Sequence, residues 1–416
     1  MGNTTLTADV IAKAALPILE NELGWLNKIY RAHESEFTNS VNGYKIGETI
    51  SIRRPADFTV RAGATMDLQN VVEGKTTLTV DQQIGVDFSL SSVELTLSIT
   101  DIATRIIKPA LSNIVNYMAN DVLTQMYRGT YNWAGTAGQT INSFADFAKG
   151  PERLDLMAVP QSDRCAVLSV ADHWGLVGAA TTLANVGSGA ESGAYRNGSL
   201  GRLGGIDTYM TQVSPTHTTG TRDNTTPLVD GASQNVTYDT AKNTWTQTLI
   251  TDGHDSAATI KAGDVFTIAD VYMVNPKTKA ATSQLQQFVV TADVTANATT
   301  SSDTNLTISP PIITSGPHQT VSAAPANDAA ITFVGSASTG YVQNMLFHKN
   351  AMSLAVVPME LPQGATNPSR QSRNGISVRV IPVYDGVSDV SKWRLDLLYG
   401  RKLIDPRLLT RLSGTA

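Results

Sequence analysis

Residues 261–294 are KAGDVFTIADVYMVNPKTKAATSQLQQFVVTADV. Two strands are expected here, DVFTIADVYMV and LQQFVVTADV, rich in β-branched and aromatic residues and separated by a polar connection. The surrounding composition extends that reading. No glutamate occurs between Glu191 and Glu360, and residues 211–340 hold 27 Thr in 130 positions, with 10 Asp against 5 Lys plus Arg. Glu and Lys favour helices whereas Thr favours strands, so this span should be nearly all β. Further strands are expected at TWTQTLI, NLTISPPII and AAITFVG. Short strands with polar turns fit a small barrel or sandwich. The span carries the whole chain's formal charge of −5, which leaves the remainder neutral. Residues 217–340 are therefore expected to be a separate domain inserted into the first.

The flanking sequence has a different style. Ile102, Ile106, Ala110, Ile114, Met118, Val122 and Met126 recur every four residues, with a second apolar row beside them. This predicts a long helix over 100–128, capped by Thr100 or Asp101, ended by Gly129 and bent at Pro109. A helix is also expected over 7–33, kinked or split at Pro17. YKIGETISIRRP (44–55) alternates, with Ile50 and Ile52 on one face. Thr77, Thr79 and Asp81 then alternate with Leu78 and Val80, which suggests a long two-stranded projection with a loose tip. Residues 141–216 look α/β. After residue 340, long apolar runs and arginines return, and should complete the sheet and core begun before residue 216.

Composition excludes several classes. With 416 residues the chain exceeds one compact core. Its small net charge argues against a dedicated nucleic-acid surface and against an anionic-membrane binder. One cysteine, Cys165, rules out an intramolecular disulfide and fits a reducing cytoplasm. The N-terminus has no signal-peptide pattern, and no window approaches eighteen apolar residues.

Candidate chemistry is sparse. His33, His173, His217, His254, His318 and His348 include no pair at metal-ligand spacing, and Cys165 lacks a CxxC partner. Neither a cofactor nor a metal is expected. Cys165, Asp172 and His173 suggest a thiol catalytic group, but Cys165 reads better as a small core residue. GSLGRLGG (198–205) lacks the Lys-Ser/Thr of a phosphate loop and precedes a strand. His348 and Lys349, inside LFHKNAMSLA (346–355), make a thin basis for an enzyme. Arg53, Arg54 and Arg61 cluster on the β projection beside Asp57, Asp67, Glu73 and Asp81. They form either a solvated face or ion pairs with a neighbouring subunit, where Arg is favoured.

Several stretches, in order, resemble the major capsid (coat) proteins of tailed double-stranded DNA phages. The likeness is to the short-tailed Salmonella-phage type, in which a β-barrel is inserted into the Hong Kong 97-type capsid fold. YKIGETISIRRP resembles the opening of the family's extended loop, and the helix at 100–128 its spine helix. GRLGGIDTYMTQ resembles a turn and strand of the axial domain, and KAGDVFTIADVYMVNPKTKAATSQLQQFVVTADV the inserted barrel. LFHKNAMSLA resembles the segment leaving that barrel, and LDLLYGRKLIDPRLLTRL the closing strand.

The resemblance implies an α+β fold in six parts. These are an N-terminal arm helix (1–40), an extended β loop (41–92), a peripheral domain with the spine helix (93–140) and an axial domain (141–216). The inserted barrel (217–340) follows, then a return to the axial and peripheral domains (341–416). It implies assembly into pentamers and hexamers of an icosahedral shell, without catalysis. The implied partners are copies of itself, a separate scaffolding protein, a portal at one vertex, DNA held non-specifically, decoration proteins, and no membrane. The implied location is the virion, assembled in the host cytoplasm. YDTAKN (238–243), with Asp239 and Lys242, and NPKTKAATS (275–283), with Lys277 and Lys279, are both candidates for the barrel loop that touches a neighbouring capsomer. The rival reading is a Thr-rich β adhesin or surface-layer subunit.

Overall fold

A computed structural model describes residues 11–13, 15–17, 19, 23–34, 37, 40–41, 44–45, 49–66, 68–91, 106–184, 198–222, 227–297, 303–362, 364, 367–373 and 376–415. The expected caps at Thr100 and Asp101, and the candidate contact Asp67, lie outside them. The chain is α+β and divides into two compact units: residues 1–51, 77–122 and 352–402, and residues 52–76, 123–351 and 403–416.

The first unit is built on an antiparallel sheet. Its order is Ser369–Arg373, Ile376–Asp385, Val390–Leu403, Lys75–Ser91, Thr49–Arg53, and Met352–Val357 also pairs with Val390–Leu403. Ile50 and Ile52 are buried and Thr49, Ser51 and Arg53 exposed, as the alternation requires. The expected two-stranded projection is corrected, because Lys75–Ser91 pairs along most of its length with Val390–Leu403, from Val80 opposite Gly400 to Ser91 opposite Val390. Lys75–Ser91 also neighbours Thr49–Arg53, and no described residue of 54–74 lies in a strand. Alternation marks a strand, but it does not name the partner.

The long helix runs Lys108–Gly129. Leu111, Ile114, Val115, Met118, Val122, Leu123 and Met126 are all buried, which is the apolar face read from the spacing. Ile106 and Ile107 form a π turn, so Pro109 stands at its junction with the α-helix, where a missing N–H is accommodated. Asp121 fastens this helix to the sheet: Tyr399 donates to it at 2.6 Å and Arg401 at 2.7 Å. The N-terminal segment is not one helix over 7–33. Pro17 is helical, and Gly24, with a φ of 48°, opens a separate 3-10 helix over Gly24–Lys28. The segment then ties to the sheet through Leu354 N–H donating to the Tyr30 carbonyl at 3.1 Å.

The second unit holds a mixed sheet in the order Trp133–Ala134, Leu409–Leu412, Asn344–His348, Arg164–Leu168, Ile206–Met210, Arg202–Leu203. Helices Phe144–Leu156 and Val170–Ala184 accompany it. Ser143 caps the first, accepting from the Asp146 N–H. The Thr-rich span forms a second six-stranded sheet in the order Leu228–Val229, Gln247–Asp252, Thr304–Ser309, Ala281–Val290, Val265–Val274, Ile331–Phe333. Leu228 bridges Ala330, and Ile331 N–H donates to the Pro227 carbonyl at 2.8 Å, so the two edges meet and the sheet closes into an antiparallel barrel. Leu249, Phe266, Ile268, Phe288, Leu306 and Ile308 fill it.

The chain enters and leaves the barrel by a neck, Thr216–Thr218 paired with Gly340–Val342. Beside it, Gly220 lies so close to Thr259 that a Cβ would stand 1.8 Å from its carbonyl oxygen. Val265, Met273 and Val289 of the barrel belong to the same buried cluster as Phe147, Leu346 and Leu412 of the mixed sheet and its helix.

Candidate assembly surface

The charged residues singled out in the sequence fall into distinct settings. Arg53 and Glu73 pair with each other at 3.2 Å on an exposed face. Lys242 pairs with Asp239 at 2.6 Å, also in the open. Arg61 donates to the carbonyls of Gly63 and Thr65, bracing the loop that carries it. Arg54, Asp57, Lys277 and Lys279 instead converge on one place.

That place is the base of the loop that follows Thr49–Arg53, against the barrel. Asp57 accepts from Arg407 at 2.9 Å, with Lys277 at 4.0 Å and His318 at 3.7 Å. Arg407 is also held by Asp405 at 2.8 Å. Asp405, and then Asp57, raise the Arg407 guanidinium further above its usual range, although burial opposes them. Trp245 underlies two cations, Arg54 and Arg407, each 5.8 Å from its ring centre. The Tyr238 and His318 rings stack at 3.5 Å. Lys279 donates to the Pro317 carbonyl, and burial lowers its ammonium pKa. Sequence reasoning missed Trp245, His318, Asp405 and Arg407. Nothing local marks them, since they lie far from residue 57 along the chain.

Burial dominates at His318 and pushes its imidazole down to about 4, while Asp57 opposes this and Arg407 and Lys279 reinforce it. The folded state thus prefers neutral His318. Its stabilising contribution is complete above the unfolded value of about 6.5 and is lost as pH falls toward 4. Urea midpoints measured between pH 7 and pH 4 should fall steeply for the natural chain and less for His318→Gln. Equal slopes would remove His318 from the account.

Beyond the root the loop presents apolar side chains to solvent. Phe58, Val60, Met66, Leu68 and Val71 are all exposed, Val60 at 96% and Leu68 at 82%. The loop is nevertheless braced: Gln69 accepts from the Thr59 N–H at 2.9 Å and donates to its carbonyl at 2.7 Å. In the first unit, the turn between Ile376–Asp385 and Val390–Leu403 behaves similarly. Asp385 accepts from Lys392, Ser388 and the Val387 N–H at 3.0–3.1 Å, and the Lys392 bond leads in lowering its pKa to about 2. This ties down a turn whose Val387 is 98% exposed, next to exposed Val383 and Tyr384. Its Asp-Gly pair between two alternating runs was the available sequence signal.

The side chains considered for chemistry have partners within the fold. Asp172 accepts from the Ile141 N–H, Ser169 Oγ and Asn344 Nδ2, and His173 bonds the Gly198 carbonyl. Cys165 is buried in its strand. His348 lies opposite Arg164 in the mixed sheet, and its Nδ1 accepts from the Asn350 N–H. Among the described residues no group of three or more His, Cys, Asp or Glu could hold a metal ion. No described helix is long and apolar enough to cross a membrane.

The neck contains a buried charge cluster. Asp264 accepts from His217 Nε2 at 2.9 Å, from the Lys261 N–H at 2.9 Å and from the Gly220 N–H at 3.3 Å, with Arg222 at 3.6 Å. Burial alone would raise the Asp264 pKa, but His217 and Arg222 outweigh it and hold the carboxyl below its usual range. Burial lowers the His217 pKa. Arg411, fully buried between the Tyr127 and Trp133 rings, is pushed down to about 9 by burial.

Among solved structures the chain is similar to one titled "Mycobacterium phage Che8", with 12% identity, a TM-score of 0.46, and coverage of 93% of this chain and 89% of that one. It is similar to a chain of the bacteriophage PhiM1 mature capsid, with 10% identity, a TM-score of 0.42, and coverage of 88% and 82%. It is also similar to the CUS-3 coat protein I-domain, with 31% identity, a TM-score of 0.19, and coverage of 26% of this chain and 93% of that one. No curated protein matches the sequence. The family described as "P22 coat protein - gene protein 5" matches residues 29–413. Because that match takes in the long helix, both sheets and the barrel, the chain belongs to the P22 coat protein family.

Proposed function

We propose that this coat-family chain has the Hong Kong 97-type capsid fold and closes into an icosahedral shell of pentamers and hexamers around double-stranded DNA. The observation that carries the reading is the braced loop at 58–71. It exposes Phe58, Val60, Met66, Leu68 and Val71 together, although a soluble monomer rarely leaves so many large apolar side chains uncovered in one segment. Another copy of the chain is the occupant that fits. Ion pairing at the flanking Arg53, Glu73 and Arg61 would set the register, and the tip at Val383–Val387 supplies a second contact.

Asp239 and Lys242 are the freer candidates for a contact between capsomers, since Lys277 and Lys279 already face the loop root. Asp67 belongs to the same proposed surface by its position in the sequence. Many modest contacts repeated over a closed shell give strength through multivalency. A neutral body with an acidic insertion suits a wall that encloses DNA without gripping it, because few phosphate counterions are released. The proposed partners are a scaffolding protein, a portal at one vertex and decoration proteins, with assembly in the host cytoplasm. There is no catalytic step.

Coexpression with the scaffolding protein, followed by electron microscopy, is expected to yield closed shells. Val60→Asp with Leu68→Asp should abolish them while leaving the chain folded. A chain that stays monomeric beside its scaffold would overturn the proposal.

A further inference from the structure

The barrel has a built socket, and its occupant is the root of the extended loop. Three barrel segments supply it: Tyr238 to Trp245, Lys277 with Lys279, and His318. Asp405 and Arg407 complete it from the C-terminal segment. The occupant enters through residues 54–57 and leaves through 74–75. Arg54 N–H donates to the Gly74 carbonyl at 2.8 Å, which cinches the loop shut at its base. Lys75 N–H then donates to Asn243 Oδ1 at 3.1 Å. Gly74 backs onto the turn after Tyr238–Ala241 so tightly that a Cβ would lie 2.1 Å from the Lys242 carbonyl oxygen. Asp57 enters between Arg407, Lys277 and His318, and Arg54 lies over Trp245.

We infer that the inserted barrel is the positioning element of the extended loop: the Asp57 socket fixes the angle at which residues 58–71 leave the body. The socket has more cations than its own Asp405 can balance, with Arg407, Lys277 and Lys279 present before the loop arrives. Asp57 gives Arg407 its second carboxylate. The contact is selective because Arg407 meets Asp57 and Asp405 at once, and a planar guanidinium bonds two carboxylates only when both lie at its edge. No described residue of 54–74 lies in a strand, so the backbone ladder does not set the loop's direction there, and these side chains do. The barrel's part in assembly, on the shell reading above, is thus to aim its own chain's contact segment at a neighbouring copy, and not only to add surface.

Hydrogen exchange on the unassembled full chain tests the socket without relying on the shell reading. Asp57→Ala and Trp245→Ala should each speed exchange at 54–57 and 74–76 by about tenfold, the scale of one charge-assisted hydrogen bond. The barrel strands Val265–Val274 and Ala281–Val290 should keep their natural protection, which shows that the barrel is still folded. Asp57→Asn, which keeps the shape and loses the charge, should fall between. Unchanged exchange at the root in Asp57→Ala and Asp57→Asn would overturn the socket.

The second arm is assembly with the scaffold, where Asp57→Ala is expected to slow shell formation several-fold and broaden particle size. A loosened root with shells formed at the natural rate and size would overturn the positioning role. If the natural chain forms no shells at all, the shell reading fails and the exchange experiment still decides the socket.

Discussion

Asp264→Ala should lower the stability of the barrel and its neck by about 3–5 kcal/mol, the cost of removing one partner from a buried ion pair. The side chain is fully buried, as is Arg222 beside it, and Arg411 lies near enough to feel its charge. Taking the carboxylate away leaves Arg222 as a buried cation whose remaining bonds run to the carbonyls of Val334 and Ser336. It also strips the Gly220 and Lys261 amides, and His217 Nε2, of their acceptor.

Asp264→Asn should cost less, since one oxygen still accepts from backbone amides. The same group gives the neck an acid limit. A carboxyl with a depressed folded pKa contributes stability above its unfolded value of about 3.9 and loses it as pH falls through the lower folded value. His217 acts in the same direction at higher pH, because its depressed pKa makes protonation below about 6.5 oppose folding. Urea unfolding followed by tryptophan fluorescence at pH 7 checks the central figure. A loss below about 0.5 kcal/mol would mean that water, not Asp264, neutralises this cluster.

Deleting 217–340 should leave an insoluble product, for two reasons that add. The first is charge: the span carries the chain's net −5, and a neutral remainder has little self-repulsion to keep it dispersed. The second is the shared core. Val265, Met273 and Val289 would no longer cover Phe147, Leu346 and Leu412, at about 1.5–3 kcal/mol for each buried apolar side chain lost. Buried Arg153 would lose Gln284 and Gln287, and the Trp133 backbone would lose both bonds it makes to the Gln287 amide. The soluble fraction and sedimentation of the full and deleted chains, expressed alike, decide the matter. A soluble, well-folded deletion product would show that the barrel is an accessory to a core complete without it.

The sequence alone determined the long helix and the all-β insertion. The four-residue recurrence from Ile106 to Met126 predicted the long buried helix, and the Thr-rich, Glu-free composition predicted the all-β insertion, because both signals are local to the backbone. The ordered motifs were enough to suggest the family. Only the tertiary structure decided the partners. Lys75–Ser91 pairs with Val390–Leu403, Asp57 meets Arg407 and His318, and Asp264 faces His217 and Arg222. The reason is physical: periodicity records which face of an element is buried, whereas burial and charge neutralisation bring together side chains hundreds of residues apart, and neither leaves a mark at a fixed spacing along the chain.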